Sequence, residues 1–564
     1  MKFNIAWLFN LVLPCGILIG CGGTAGTSAV GEVEASKLFA ETSIVSGSIP
    51  VSTIVSTTSG TFQGALPDGN GITSFKGIPY AAPPTEQLRW RPPQPAKLAT
   101  GVRQALQFGN DCIASPGPLQ NSSNQSEDCL TLNVWTPRLS GSAPKPVMVW
   151  LHGGGFQFGT SATPTYDGSL LAAHDVVVVS LNYRLGVFGF LATQQFDDES
   201  GSSGAWGLLD QVAALQWVQQ NIKQFGGDPR KVTLFGESAG AHSVGMLMAS
   251  SRSKGLFSKA IMQSGATWDT EHGSIATHQE AIARGKEFSS KFLNQDLRQL
   301  PADVIRAAAP WDDLTDPTIT AFGPSIDGDL LTDSPINIFL KKQQLDIPVM
   351  GGWNGAEWFP FVARALPAAP AAVFYTAAGK LFGQNCVERF KSLYPPADDT
   401  NAQQSSFQLD GDLGIAEQTW EALTLQAQIN NAYAYRFVYT SAYAPVAIHT
   451  SEVAFVFGTL TRQILAPAAT PSTEDRRISE MMMSYWTNFA RSGNPNGAGL
   501  PYWPELGTNG MNVLRLDSAP VAESNPDVER FRFIAKYRSE GRLPEAWRSL
   551  ASPYVIQYQG PACP

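Results

Sequence analysis

Ser238 stands at the centre of the run Phe235-Gly236-Glu237-Ser238-Ala239-Gly240. The β-branched, apolar stretch 232–235 before it reads as a buried strand, and 239–248 after it as a helix. A strand that turns sharply into a helix holds its central side chain proud of the sheet. Gly236 and Gly240 let backbones pack there where a Cβ would clash. The spacing G-x-S-x-G is that of a nucleophile elbow, with the serine hydroxyl at a helix N-terminus, where free N–H groups and the helix dipole favour developing negative charge. The competing reading of so short a motif, in a chain with 52 glycines, is a plain strand-to-helix turn.

A second stretch could serve the same chemistry. His152-Gly153-Gly154-Gly155 follows directly on the apolar run 147–151. Consecutive glycines can turn backbone N–H groups toward an anion without side-chain obstruction. A strand end in the N-terminal half is where an oxyanion loop belongs in such a fold; a flexible loop is the alternative. A serine hydroxyl is a poor nucleophile at neutral pH and needs an adjacent base. His242 lies four residues after Ser238, on one helix face with it. The hydroxyl, however, projects outward from the elbow, while a side chain one turn on is carried away from the opening.

The elements that must position these residues alternate. Strands at 147–151 and 176–181 are followed by a helix at 207–222, amphipathic with Leu208, Val212, Leu215, Val218 and Ile222 on one face. Such alternation argues a mostly parallel sheet. Gly69-Asn70-Gly71 reads as a hairpin turn between Thr61-Phe62 and the strand 72–75. The chain has 564 residues, 43% hydrophobic and 15% charged, which fits a globular body with a large core rather than extended disorder. A net charge of −9 without basic clusters excludes nucleic acid as a partner.

The N-terminus reads as an export signal over residues 1–20: Lys2, then an apolar run through Ile19. Its end, Leu18-Ile19-Gly20-Cys21, resembles a bacterial lipobox, in which Cys21 becomes the lipidated first residue. The alternative is an ordinary signal peptide cut near Ala29, with Cys21 removed. Residues 21–58 read as the anchor cysteine and a Gly/Ser/Thr/Ala-rich tether, and 59–564 as the folded domain. In an exported chain Cys112 and Cys129 are expected to form a disulfide rather than a metal site, because no third or fourth ligand is near. Cys386 and Cys563 are left over as a second candidate pair.

The segment from Phe225 through Gly226-Gly227-Asp228-Pro229-Arg230 to Gly240 resembles the serine signature of the type-B carboxylesterase/lipase family. Glu127-Asp128-Cys129-Leu130-Thr131-Leu132-Asn133-Val134-Trp135 resembles its second signature, and the likeness covers roughly residue 59 to the end. The resemblance implies an α/β-hydrolase fold, a mostly parallel mixed sheet with helices on both faces. It also implies a triad in the order serine, acid, histidine. Ile347-Pro348-Val349-Met350-Gly351-Gly352-Trp353-Asn354-Gly355-Ala356-Glu357 matches the acid strand and loop, which places the acid at Glu357, with Trp358 where the family has a glycine. Ile448-His449-Thr450-Ser451-Glu452 matches the catalytic histidine. Asp327 is a rival acid that the family treats as structural. Glu237, Ser264 and Glu452 match polar residues behind the triad, and Arg89 with Glu127 a buried ion pair.

The expected chemistry is ester hydrolysis through an acyl-enzyme on Ser238, with the amides of Gly154, Gly155 and Ala239 as oxyanion donors and no metal or organic cofactor needed. Substrates are expected to be small-molecule or polymeric esters, with membrane contact only through the N-terminal lipid. Trp268 is a candidate for lining the acyl pocket. The loop between Cys112 and Cys129 holds no aromatic residue, where cholinesterases place a choline-binding Trp, which argues against a cation–π site for choline. A lipase acting on longer-chain glycerides is the alternative. A non-catalytic adhesion module is a remote one, because it requires a broken triad.

Overall fold

The computed structural model describes residues 53–539, apart from 115–123, 140–142, 268–274, 293–294, 310–321, 358–369, 401, 443–444 and 463–469. Ten strands form the main sheet. They are β1 (Thr73–Pro79), β2 (Thr131–Thr136), β3 (Lys145–Leu151), β4 (Val177–Leu181), β5 (Gly227–Glu237), β6 (Lys259–Gln263), β7 (Val349–Asn354), β8 (Ala432–Phe437), β9 (Asn512–Leu516) and β10 (Val521–Ser524). The order across the sheet is β10-β9-β8-β7-β6-β5-β3-β4-β2-β1. Neighbours from β9 to β4 run parallel, and the pairs β9/β10, β4/β2 and β2/β1 are antiparallel.

Strands buried on both faces need continuous apolar runs, which is what 147–151 and 177–181 supply. Alternate side chains enter two cores, as the two-residue period of a strand demands. Val147, Val149, Leu151, Val232, Leu234, Ala260 and Met262 face one; Met148, Trp150, Phe235 and Ile261 face the other. Helices α1 (Trp206–Asn221) and α2 (Ala239–Ala249) cover the first core. Helices α3 (Val453–Phe457) and α4 (Thr473–Ser492) cover the second. No helix among the described residues is long and apolar enough to cross a membrane.

Three expectations are corrected. The folded body begins before residue 59: strand Ile54–Thr57 pairs antiparallel with Gly60–Gln63, inside the stretch read as tether. Composition there is Ser/Thr-rich, yet Val55 is buried and Thr58 exchanges hydrogen bonds with Asn221 of α1. That packing also corrects α1, which is buried on nearly every side rather than along one face. Its Asp210 pairs with Arg184 at 2.7 Å, and Trp217 donates to Ser59 Oγ at 3.2 Å. Finally, the turn at Asn70 exists, held by Asp68 Oδ1 accepting from the N–H groups of Asn70 and Ile72. The strands on its two sides nevertheless join different sheets, Gly60–Gln63 the small N-terminal one and Thr73–Pro79 the main one.

Cys112 and Cys129 are bridged, with Cα atoms 5.0 Å apart. Cys386 is buried and disulfide-bonded. Cys21, Trp268, Trp358 and Cys563 lie outside the described residues.

Candidate active site

Ser238 caps α2 at φ 55° and ψ −124°, a region that non-glycine residues rarely adopt. Its backbone N–H donates to Gln263 O at 3.0 Å, which ties the elbow to the end of β6. The glycines are sterically required. A Cβ on Gly240 would lie 2.0 Å from Leu151 O, and one on Gly236 would lie 2.6 Å from the Gly240 carbonyl.

The glycine loop after β3 rests against this turn. A Cβ on Gly153 would lie 3.1 Å from Ser238 Cβ, and one on Gly154 (φ 113°) would strike Phe158 O at 2.0 Å. Gly155 (φ 60°) faces open space instead. Among the described residues the amides of Gly154, Gly155 and Ala239 donate to no protein acceptor. They remain available to an oxyanion beside Ser238.

Glu357 follows the end of β7, and His449 lies in the loop between β8 and α3. A parallel bridge between Ala356 and Ile448 joins the two loops, and Ala356 N–H donates to Ala447 O at 3.0 Å. One residue past the bridge, His449 Nδ1 meets Glu357 Oε2 at 2.6 Å. The other oxygen, Oε1, accepts from Ser264 Oγ and from Asn354 N–H, both at 2.6 Å. Glu452 Oε1 accepts from Gln263 Nε2 at 3.1 Å and Oε2 from Asn354 Nδ2 at 2.7 Å. Trp486 Nε1 donates to Gln263 Oε1 at 2.9 Å. His449 Nε2 lies 3.2 Å from Glu237 Oε1.

Three buried glutamates therefore surround one imidazole. Burial opposes the imidazolium, but Glu237, Glu357 and Glu452 outweigh it and raise His449 to about 9. Burial pushes the Glu237 carboxyl up to about 8, against the pull of His449 and with the push of Glu452 and Glu357.

The rival groups stand elsewhere. Asp327 Oδ1 accepts from Leu331 N–H at 2.8 Å and holds its own turn. His152 stacks on Tyr183 with ring centroids 4.5 Å apart, and burial lowers it to about 4, so it stays neutral. His242 lies beneath the elbow: a Cβ on Gly265 would sit 2.9 Å from Ser238 O and 3.2 Å from His242 Nε2. Arg89 forms a bidentate pair with Glu127, both contacts at 2.6 Å. Sequence reasoning did not single out Asn354 or Gln263. Their only signals were position, Asn354 closing β7 and Gln263 preceding Ser264. Among the described residues no group of three or more His, Cys, Asp or Glu side chains could hold a metal ion.

A largely parallel sheet covered by helices on both faces, with a serine elbow where its fifth strand meets a helix, defines an α/β-hydrolase. The chain belongs to the carboxylesterase family, whose model matches residues 51–534. The fumonisin B1 esterase of Sphingopyxis macrogoltabida is 35% identical over 476 residues, spanning 80% of this chain and 84% of its own. The para-nitrobenzyl esterase of Bacillus subtilis (strain 168) is 35% identical over 491 residues, spanning 85% of this chain and 97% of its own. The solved structure of a thermophilic PNB esterase superposes with a TM-score of 0.74 at 33% identity, covering 86% of this chain and 99% of that one. The chain is a serine carboxylesterase.

Proposed function

We propose that ester hydrolysis runs through Ser238, His449 and Glu357, with Gly154, Gly155 and Ala239 as the oxyanion donors. The observation that supports this most directly is the 2.6 Å contact between Glu357 and His449 beside a serine held at positive φ. Neutral His449 takes the Ser238 proton on Nε2 as Oγ attacks the ester carbonyl. Glu357 fixes the tautomer and stabilises the imidazolium. The oxyanion is bound by the backbone amides, each such donor lowering the barrier by about 3–4 kcal/mol. Collapse expels the alcohol, which takes the proton from His449. Water, deprotonated by the same imidazole, then attacks the acyl-enzyme, and the acid leaves with Ser238 restored.

The substrate reading is a broad carboxylesterase acting on exogenous esters, small or polymeric. The loop between Cys112 and Cys129 has no aromatic residue to hold a choline cation. A panel of esters varied in acyl length and alcohol, run against a Ser238→Ala control, tests the reading. Retained turnover in that control would end it. A jump in rate at an oil–water interface with long-chain glycerides would favour a lipase instead.

The export reading carries over: Cys21, at the end of the apolar run, is a lipid anchor, and the chain works at the cell envelope. More than one acyl chain on that cysteine suffices for stable attachment. Mass spectrometry of the mature N-terminus decides it, an unmodified start beyond Cys21 being the contrary result.

A further inference from the structure

Asn354 closes β7 and is 1% exposed. Its backbone N–H donates to Glu357 Oε1 at 2.6 Å. Its Nδ2 donates to Glu452 Oε2 at 2.7 Å, to Ser264 Oγ at 3.2 Å and to Glu357 Oε1 at 3.3 Å. Among the described residues its Oδ1, also buried, has no hydrogen-bond partner. A buried carbonyl left unpaired is costly, so the amide is held by its donors. Exchanging Oδ1 and Nδ2 would turn an oxygen lone pair toward two carboxylates, and the network assigns the orientation for that reason.

We propose that Asn354 is a positioning residue for the acid–base pair, an uncharged donor that ties Glu357 to Glu452 so that Glu357 keeps Oε2 for His449. This rests on the assignment of Glu357 and His449 above. Four ionisable groups share the cluster: Glu237 from β5, Glu357 after β7, Glu452 at the start of α3, and His449. The hydroxyls of Tyr435 on β8 and of Tyr166 are within electrostatic reach of these carboxylates, and that of Tyr183 of Glu237. Like charges repel strongly in so buried a site, so the side chain between Glu357 and Glu452 must donate without adding negative charge. An amide of this length does both. An isosteric carboxylate adds a fourth acid beside the imidazole, and an isosteric alkyl group strips Glu452 of its 2.7 Å donor.

The test is the pH profile of kcat/KM for a chromogenic short-chain ester, with the full chain, in Asn354→Asp, Asn354→Leu, Asn354→Asp/Glu452→Gln and Ser238→Ala. The acid limb is expected to move up by about 0.5–1 pH unit in Asn354→Asp and down in Asn354→Leu. The double variant restores the number of carboxylates and should bring the limb back to the native position. In both single variants kcat should fall about tenfold while KM stays within about twofold, the pattern of lost positioning rather than lost binding. Acid limbs that coincide with the native one, or that move the same way in both single variants, overturn the proposal. If Asn354→Leu does not fold, an unshifted Asn354→Asp limb, or one that Glu452→Gln leaves displaced, overturns it equally. Activity in Ser238→Ala would instead overturn the site assignment itself.

Discussion

Glu357 Oε2 stands 2.6 Å from His449 Nδ1, although 92 positions of chain separate the two residues. Backbone pairing brings them together. Ala356 and Ile448 bridge two strand-end loops in parallel, and Glu357 and His449 each come one residue later. Imidazole and acid are thus delivered to one point by the sheet, while Ser264 and Asn354 hold the remaining acid oxygen from the other side.

His449→Ala should lower kcat by about four orders of magnitude with the fold retained. His242→Ala should cost about tenfold or less, because its ring packs under the elbow beside Gly265 and acts through pocket shape. Steady-state kinetics paired with thermal unfolding of each variant check this. Abolished turnover in folded His242→Ala, with turnover kept in His449→Ala, would reverse the roles.

The acid limb of kcat/KM should lie above the reference imidazole value of about 6.5. The base must be unprotonated to accept the Ser238 proton, and the surrounding glutamates, overcoming the burial that opposes the charged ring, hold His449 at about 9. Activity should therefore rise with pH through this range. Glu237→Gln removes one carboxylate and should move the limb down. For stability the sign is opposite: the raised folded value favours the native state at low pH, and that contribution is lost as pH rises from about 6.5 toward 9. A native limb at or below 6.5 would contradict the electrostatic account.

Gly240→Ala should destabilise the protein by about 1–3 kcal/mol or more. Its Cβ would lie 2.0 Å from Leu151 O, and the obstacle is backbone of a central strand rather than a flexible side chain. The glycine loop begins immediately after Leu151, so activity should fall with stability. Chemical denaturation midpoints and kcat, measured on the same preparation, provide the comparison. An unchanged midpoint would mean that β3 and α2 separate more easily than their packing implies.

Cys112→Ser with Cys129→Ser should cost about 3 kcal/mol on the loop-entropy account. The bridge closes a separation of 17 residues and borders the Arg89–Glu127 pair. The native and double-serine chains should differ in denaturation midpoint while the kinetics of the folded enzymes agree. Equal midpoints would show that the loop is held by other contacts.

Where a feature has a local chemical signature, the sequence by itself determined it. The glycines flanking Ser238, the glycine run after His152 and the apolar strands of a two-sided sheet are each demanded by sterics or burial within a few residues. The resemblance to known signatures then pointed to Glu357 and His449. Only the tertiary structure decided which carboxylate reaches the imidazole. Asp327 accepts from the N–H groups of its own turn and from Ser202, whereas Glu357 is carried to His449 by a bridge between loops distant in sequence. The same limit explains the misplaced start of the domain and the one-sided reading of α1. Strand Ile54–Thr57, of which Val55 is buried, and α1 are joined through contacts between residues more than 150 positions apart, such as Thr58 with Asn221. Asn354 was invisible for the same reason. An asparagine at a strand end has no periodicity or motif to mark it, and its function exists only once Ser264 and Glu452 arrive from two distant segments beside Glu357, which lies three residues further on.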